Sequence, residues 1–234
     1  MISVAVVGAR GFVGSELTRA FTCKGTFEVT AVTRDNYAER RTREYDLVVN
    51  SAMPAGRFFA RNKPLDDFRE TVQKTADLFY GWKFRRFLQV SSVSARCQLD
   101  TVYGRHKAAA ETVCRGPNTL IVRLGPMYAE SLSKGVLIDM LQGRPVYVAG
   151  ESRYCFASLE FVAGWIARNW EREGTVEVGA RDAIELRELA RRIGRPVEFS
   201  GALDHQEIPA PESDFPDVSG VIDFLRRQQS RGDK

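Results

Sequence analysis

Apolar residues come in short bursts at strand spacing, separated by longer stretches at helical spacing. Residues 3–7 (SVAVV) form the first burst and predict a buried strand. A glycine turn follows. From Phe12 on, Val13, Leu17 and Phe21 recur on one face and predict a helix to about Thr22. Residues 27–32 (FEVTAV) predict a second strand, and residues 45–51 (YDLVVNS) a third with the apolar middle of a central parallel strand. A helix over about 65–82, a strand from 84 to Ser91-Ser92, a helix over 103–113 and a strand over 119–124 complete the pattern. Strands alternating with helices predict βαβ units and a doubly wound parallel sheet of the α/β class.

After Gly125 the pattern loosens. It predicts a helix over 135–142, a short strand over 145–148 and a helix over 159–170 with Phe161, Val162, Trp165 and Ile166 as its apolar face. A last sheet strand is expected at 176–178, a helix at 184–193 and a short strand at 197–199. Residues 207–218 are rich in proline and acid and read as a loop. A final helix over 221–227 should end in a charged, frayed tail. The expected organisation is a nucleotide-binding domain from 1–128 plus about 156–180, with a small C-terminal cap from about 129–155 and 181–234.

Composition narrows the class. With 44% hydrophobic and 27% charged residues, the chain is an ordinary soluble globular protein. No apolar segment reaches the roughly 20 residues that span a bilayer. The N-terminus runs straight into a strand without a basic leader, so a cytoplasmic location is expected. The net charge of +4, with arginines scattered apart from Arg40, Arg41 and Arg43, argues against nucleic acid and membrane as partners. Those three arginines are expected on a solvated face. Cys23, Cys97, Cys114 and Cys155 lie far apart with only His106 and His205 to join them, so no metal site is expected and the thiols fill space.

The turn after the first strand is GARGFVG, residues 8–14. Gly8 suits the tight turn, Gly11 lets a pyrophosphate approach the backbone, and Gly14 lets the helix pack close to the strand. The helix then offers unpaired N–H groups and its positive dipole end to phosphates. Placed between a strand and a helix, this is the phosphate loop of a Rossmann-type fold. The end of the second strand selects the cofactor. An NAD enzyme places a carboxylate about 20 residues after the loop to hold the ribose 2′-hydroxyl. Here Thr33 and Arg34 stand 19 and 20 residues after Gly14. A guanidinium suits a 2′-phosphate, and Arg10 in the loop is a second cation for it, so NADP is expected. Asp35, one residue on, keeps NAD as the alternative.

A second group of residues carries reaction chemistry. Ser91, Ser92 and Ser94 end a strand, and Tyr103 follows Ser92 by eleven residues. Tyr103 and Lys107 are four apart and share a helix face. A nearby ammonium and the positive nicotinamide both favour the phenolate, which then takes a proton from a substrate hydroxyl or returns one to a carbonyl. His106 is turned off that face and is expected to face solvent or pack. His205 is expected on a surface loop.

Together these segments resemble the extended short-chain dehydrogenase/reductase family, in its NAD(P)-dependent epimerase/dehydratase branch. The resemblance runs over about residues 1–180, through GARGFVG, VSSVSA, YGRHK, RLGPMY (123–128) and GESRYCFASLEFVA (150–163). It implies hydride transfer on a sugar, of the nucleotide-linked kind, with Ser92, Tyr103 and Lys107 as the catalytic triad. It implies cofactor contacts from Gly8, Arg10, Gly11, Phe12, Val13, Gly14, Thr33, Arg34, Ser51, Ala52, Tyr103, Lys107, Gly125 and Pro126. Substrate contacts fall to Ser92, Ser94, Tyr128 and Arg153. A homodimer is the form that paired helices give in this family. The chain also departs from the pattern. Residues 36–44 are too short for the usual helix and strand, Thr71 stands near the usual helix asparagine, and Pro126 replaces another asparagine. Because the substrate-side motifs are altered, a cofactor-binding sensor of the same superfamily is the alternative function.

Overall fold

Val4, Ala5 and Val6 and, further on, Leu47, Val48 and Val49 have no exposed surface, which is what their uninterrupted apolar runs demand. A computed structural model describes residues 1–232. The chain runs β1 (Ile2–Val7), α1 (Phe12–Cys23), β2 (Phe27–Val32), α2 (Tyr37–Arg40), β3 (Glu44–Asn50), α3 (Arg57–Asn62), α4 (Pro64–Phe68) and α5 (Lys74–Gly81). It continues with β4 (Lys83–Ser92), α6 (Ser94–Cys97), α7 (Val102–Cys114), β5 (Thr119–Leu124), β6 (Met127–Tyr128), α8 (Val136–Leu141), β7 (Arg153–Tyr154) and β8 (Ala157–Ser158). The last elements are α9 (Leu159–Arg168), β9 (Gly174–Val178), β10 (Ile184–Glu185), α10 (Leu186–Arg192) and α11 (Ser219–Gly232).

The chain divides into two compact units: Met1–Arg123 with Ala163–Val176, and Leu124–Val162 with the chain from Glu177 on. In the first, the sheet order is β2-β1-β3-β4-β5-β9. β1 pairs in parallel with β2 and β3, and β3 pairs in parallel with β4. This is a Rossmann-type α/β sheet. The chain order reverses between β1 and β3, and the crevice beyond such a switch point is where these sheets bind ligands. Only the one-turn helix α2 and a short link separate β2 from β3, so β2 forms the sheet edge. α1 buries Leu17 and Phe21, the positions its spacing predicts. A core of Val7, Val32, Val48, Leu78, Trp82 and Phe87 lies among the sheet and α5.

The helix expected over 65–82 is interrupted. Between α4 and α5 the chain makes a π turn over Arg69–Gln73, which buries Thr71 and Val72 together. Thr75 then donates to the Thr71 carbonyl at 2.7 Å. Such single π turns cluster at functional sites.

The second unit is built from shorter pairings. β7 pairs antiparallel with β10, and β6 pairs in parallel with β8. The strands expected at 145–148 and 197–199 reduce to one bridge between Val146 and Phe199. The helix expected from 184 starts at Leu186, because Ile184 and Glu185 are taken up by pairing with β7. The final helix is longer than expected. Val221, Phe224 and Leu225 are buried, and Gln228 reaches Glu130 at 2.6 Å, which carries order past the expected end at 227 to Gly232. The rest of the expected frayed tail lies outside the described residues. On α9, which ends at Arg168 rather than 170, Trp165 and Ile166 are wholly buried, so this stripe is core.

The four cysteines are free thiols, two buried and two exposed. Among the described residues no cluster of His, Cys, Asp and Glu is able to hold a metal ion. No helix among them is long and apolar enough to cross a membrane.

Candidate functional site

The glycine loop has the geometry its spacing predicts. Gly8 sits at φ +86°, and a Cβ there would stand 2.7 Å from the Ala52 Cα, so the turn needs glycine twice over. A Cβ at Gly14 would lie 2.1 Å from the Gly8 carbonyl oxygen, so this glycine allows the helix to close on the loop. Gly11 differs. Its Cβ would meet only the Gly8 oxygen, at 3.1 Å, and otherwise open space. Gly11 is also the N-cap of α1, where no side chain caps the helix and no acid occupies the first turn. Bare N–H groups and a positive dipole end therefore face an opening that a Cβ would occupy.

That opening belongs to a cavity of about 740 Å³. It is walled by the C-terminal ends of β1, β2 and β3, with Gly8, Arg10, Gly11, Thr33, Arg34, Ser51 and Ala52 among its lining. The fold thus gathers seven of the expected cofactor residues around one space. Phe12, Val13 and Gly14 do not line the cavity. Shape, backbone donors and cations all fit a dinucleotide phosphate.

At the end of β2, Arg10 pairs with Asp35 at 2.9 Å, both side chains largely exposed. Asn36 accepts from the Thr33 backbone N–H at 2.8 Å and shapes the turn. The one carboxylate near the expected ribose position is thus engaged by the loop arginine, while Arg34 stays exposed on the cavity wall. In the neighbouring cluster Arg41 and Arg43 are exposed, as expected of a solvated face. Arg40 is half-buried beside Glu39, and Arg41 donates to the Gly81 carbonyl at 3.2 Å.

The second group assembles at the end of β4. Thr101 caps α7 by accepting from the Gly104 N–H at 3.0 Å. A Cβ at Gly104 would lie 2.0 Å from the Gln98 carbonyl, so glycine allows the start of α7 to close on the preceding loop. Tyr103, Lys107 and Glu111 recur every four residues along one face, and all are buried. Glu111 accepts from the Ser91 hydroxyl at 2.6 Å and from Arg123 Nη2 at 2.7 Å, which locks α7 to the strand end. The Ser92 hydroxyl stands close enough to the Tyr103 phenol to act on its ionisation. Lys107 Nζ lies 5.2 Å from the centre of the Tyr103 ring. Ser94 is 1% exposed with its Oγ sealed from solvent, leaving Ser92 as the hydroxyl that meets the tyrosine.

The electrostatics correct one expectation. Burial pushes the Tyr103 phenol above its usual value of 10, and the Ser92 hydroxyl and Arg57 offset this only in part. Burial also pushes Lys107 down to about 8, against the pull of Asp67 and Glu111. Burial is the largest effect on each of the two groups, and it opposes the charged form of both. Of the two roles expected for His106, solvent-facing or packing, the structure shows packing. Its Nδ1 meets Asp67 Oδ2 at 2.7 Å, and the Phe68 ring packs edge-on to it.

The remaining expected residues lie in the second unit. Gly125 donates to the Val178 carbonyl at 2.9 Å, and the Pro126 carbonyl accepts from Ala157 at 3.1 Å. Tyr128 stacks on Phe224 with centroids 5.1 Å apart. Arg153 is held by Glu207, and His205 accepts from the Arg153 N–H at 3.2 Å. Six cavity residues were not foreseen from the sequence as site residues: Val7, Val32, Tyr37, Met53, Lys74 and Asp77. The i,i+3 spacing of Lys74 and Asp77 on an expected helix was the only available signal.

A glycine cradle at the switch point of a Rossmann-type sheet, with half-buried Ser92 and buried Tyr103 and Lys107 at a neighbouring strand end, defines a dinucleotide-binding protein of the short-chain dehydrogenase type. The chain belongs to the NAD dependent epimerase/dehydratase family, whose model matches residues 4–151. No curated protein sequence matches it. Solved structures share its fold at low identity. An NAD dependent NDP-hexosamine 5,6-dehydratase of tunicamycin biosynthesis is 17% identical with a TM-score of 0.78, covering 99% of both chains. A UDP-glucose 4-epimerase from Thermotoga maritima is 13% identical with a TM-score of 0.75, again over 99% of both chains. A human epimerase family protein solved with NADPH is 16% identical with a TM-score of 0.76, over 97% of this chain and 99% of that one.

Proposed function

We propose that this protein is an NADP-dependent epimerase/dehydratase or reductase that transfers hydride on a nucleotide-linked sugar, with Tyr103 as the acid/base. The observation that carries the reading is the burial of Tyr103 and Lys107 on one face of α7, with Lys107 Nζ 5.2 Å from the Tyr103 ring centre, in the same unit as the open glycine cradle. The nicotinamide supplies or accepts the hydride. The protein's own residues handle the proton. Tyr103 takes it from a substrate hydroxyl as hydride leaves the carbon, and returns it to a carbonyl in the reverse sense. Ser92 orients the substrate oxygen, and Lys107 holds the ribose hydroxyls and adds positive charge beside the phenol. Gly8 and Gly11 admit the pyrophosphate, and Arg34 reads the 2′-phosphate.

NADP is favoured over NAD because Asp35 is engaged by Arg10 and Arg34 is not. The relatives solved with NADPH and with NAD or UDP-glucose support a nicotinamide cofactor and a sugar nucleotide at the level of fold. A thermal-shift screen with NAD, NADP and nucleotide sugars tests the reading, since ligands of the folded state raise the melting temperature. NADP should give the largest shift among the dinucleotides. No shift with any dinucleotide would overturn the reading. Tyr103→Phe should then abolish turnover and leave NADPH affinity within a few fold.

One observation favours a second reading, a dinucleotide-binding sensor of weak activity. The Tyr103 phenol is pushed above its usual value, away from the range a base needs at neutral pH. Dinucleotide binding without turnover on any nucleotide sugar would select it.

A further inference from the structure

The cavity at the switch point has an end that the phosphate loop and Arg34 leave unused. Tyr37, Met53, Lys74 and Asp77 line it. α5 is held there by its buried side: Asn50, the last residue of β3, donates to Thr75 Oγ1 at 3.1 Å. Lys74 and Asp77, on either side of Thr75, are then left facing the cavity. This chain has only α2 and a short link after β2, so the sheet edge there is open.

An adenine ring in this space presents an exocyclic amino group, a donor that needs an acceptor. The lining offers two side-chain carboxylates, Asp35 and Asp77. Asp35 is already paired with Arg10. Ser51 is turned inward, donating to the Val7 carbonyl at 2.7 Å. Lys74 is a cation, held by Glu70 in the preceding turn. Asp77 is exposed and is the carboxylate left for a donor, with the Tyr37 ring and Met53 as apolar walls for the base.

We propose that Asp77 reads the adenine ring of the dinucleotide, its carboxylate accepting from the N6 amino group. The assignment rests on the dinucleotide reading above. It predicts discrimination against purines with an acceptor at the 6-position.

The test compares binding of NADPH with its hypoxanthine analogue, in which oxygen replaces the N6 amino group, by calorimetric titration. The native protein should bind NADPH about tenfold more tightly, the scale of one charge-assisted hydrogen bond lost. Asp77→Ala should bring the ratio near unity by weakening NADPH alone. Asp77→Asn, whose amide donates to the 6-oxygen, should also narrow it. The side chain is exposed, so unliganded melting temperatures should match the native protein. Equal binding of both ligands by the native protein, or an undiminished ratio in Asp77→Ala, overturns the role of Asp77 and leaves dinucleotide binding intact. Binding of neither ligand overturns both.

Discussion

Asp67 meets His106 with Oδ2 2.7 Å from Nδ1, one residue before Lys107, and Asp67 is 1% exposed. Its other oxygen, Oδ1, is buried without a hydrogen-bond partner. A buried carboxylate with a single partner is costly to strip. His106→Ala should therefore destabilise the protein by about 3 kcal/mol in urea unfolding. The double variant with Asp67→Asn should recover part of that loss, because the stranded charge is gone. A single variant as stable as the native protein would show that the pair contributes nothing to the fold.

The two ends of the glycine loop should respond oppositely to one methyl group. Gly14→Ala drives a Cβ to 2.1 Å from the Gly8 oxygen and 2.7 Å from Ser51 Oγ. It should cost about 3 kcal/mol in stability, an overpacking penalty. Gly11→Ala meets only the Gly8 oxygen at 3.1 Å, so the protein should fold with nearly native stability. Its methyl stands where the phosphates belong, and NADPH affinity should fall at least about tenfold. Unchanged NADPH affinity in Gly11→Ala would place the phosphates elsewhere.

Arg34 and Asp35 make separable contributions to cofactor choice. Arg34→Ala should weaken NADPH by about tenfold or more and leave NADH nearly unchanged, since only the 2′-phosphate meets the guanidinium. Asp35→Asn frees Arg10 from an exposed pair worth about 1 kcal/mol at most, so NADPH should tighten by a few fold. Equal losses for NADPH and NADH in Arg34→Ala would show that the 2′-phosphate is not read there.

Lys107 sets a pH limb. Burial, the largest effect, holds it near 8, and Asp67 and Glu111 limit the drop. Above that pH the folded protein loses a cation that the unfolded chain keeps up to its ordinary value of 10.5. Folding stability from this group therefore rises with pH between those values, because a buried charge is relieved. NADPH affinity should move the other way and decline above about pH 8. Lys107→Met should bind weakly with no such limb, and Asp67→Asn should shift the limb to lower pH. Fluorescence titrations of NADPH between pH 7 and 9.5 read all three, and a flat native profile would remove Lys107 from cofactor binding.

Much of the fold was legible because burial leaves a periodic mark on the sequence. The strands at Phe27–Val32 and Thr119–Leu124 match their apolar runs residue for residue. Segments with weak periodicity misled. Residues 145–148 and 197–199 have strand composition but form a single bridge, and the pattern over 65–82 gives no hint of the π turn at Arg69–Gln73. Of the candidate site, Gly8, Gly11, Ser92, Tyr103 and Lys107 were legible from turn chemistry and helical spacing. Asp67, Lys74 and Asp77 were not, because an acid or base on a helix reads as a solvated surface until a neighbour covers it.

The sequence by itself determined the Rossmann-type sheet, the glycine loop after β1 and the four-residue spacing that sets Tyr103 and Lys107 on one face. These are local properties, set by backbone freedom and by burial with a fixed period. Only the tertiary structure decided the partners: Arg10 with Asp35, His106 with Asp67, and Glu111 with Ser91 and Arg123. Those residues are 12 to 39 positions apart in the chain. Which charge meets which depends on how helix faces and strand ends pack, and packing also decides how far burial moves the Tyr103 phenol and the Lys107 ammonium.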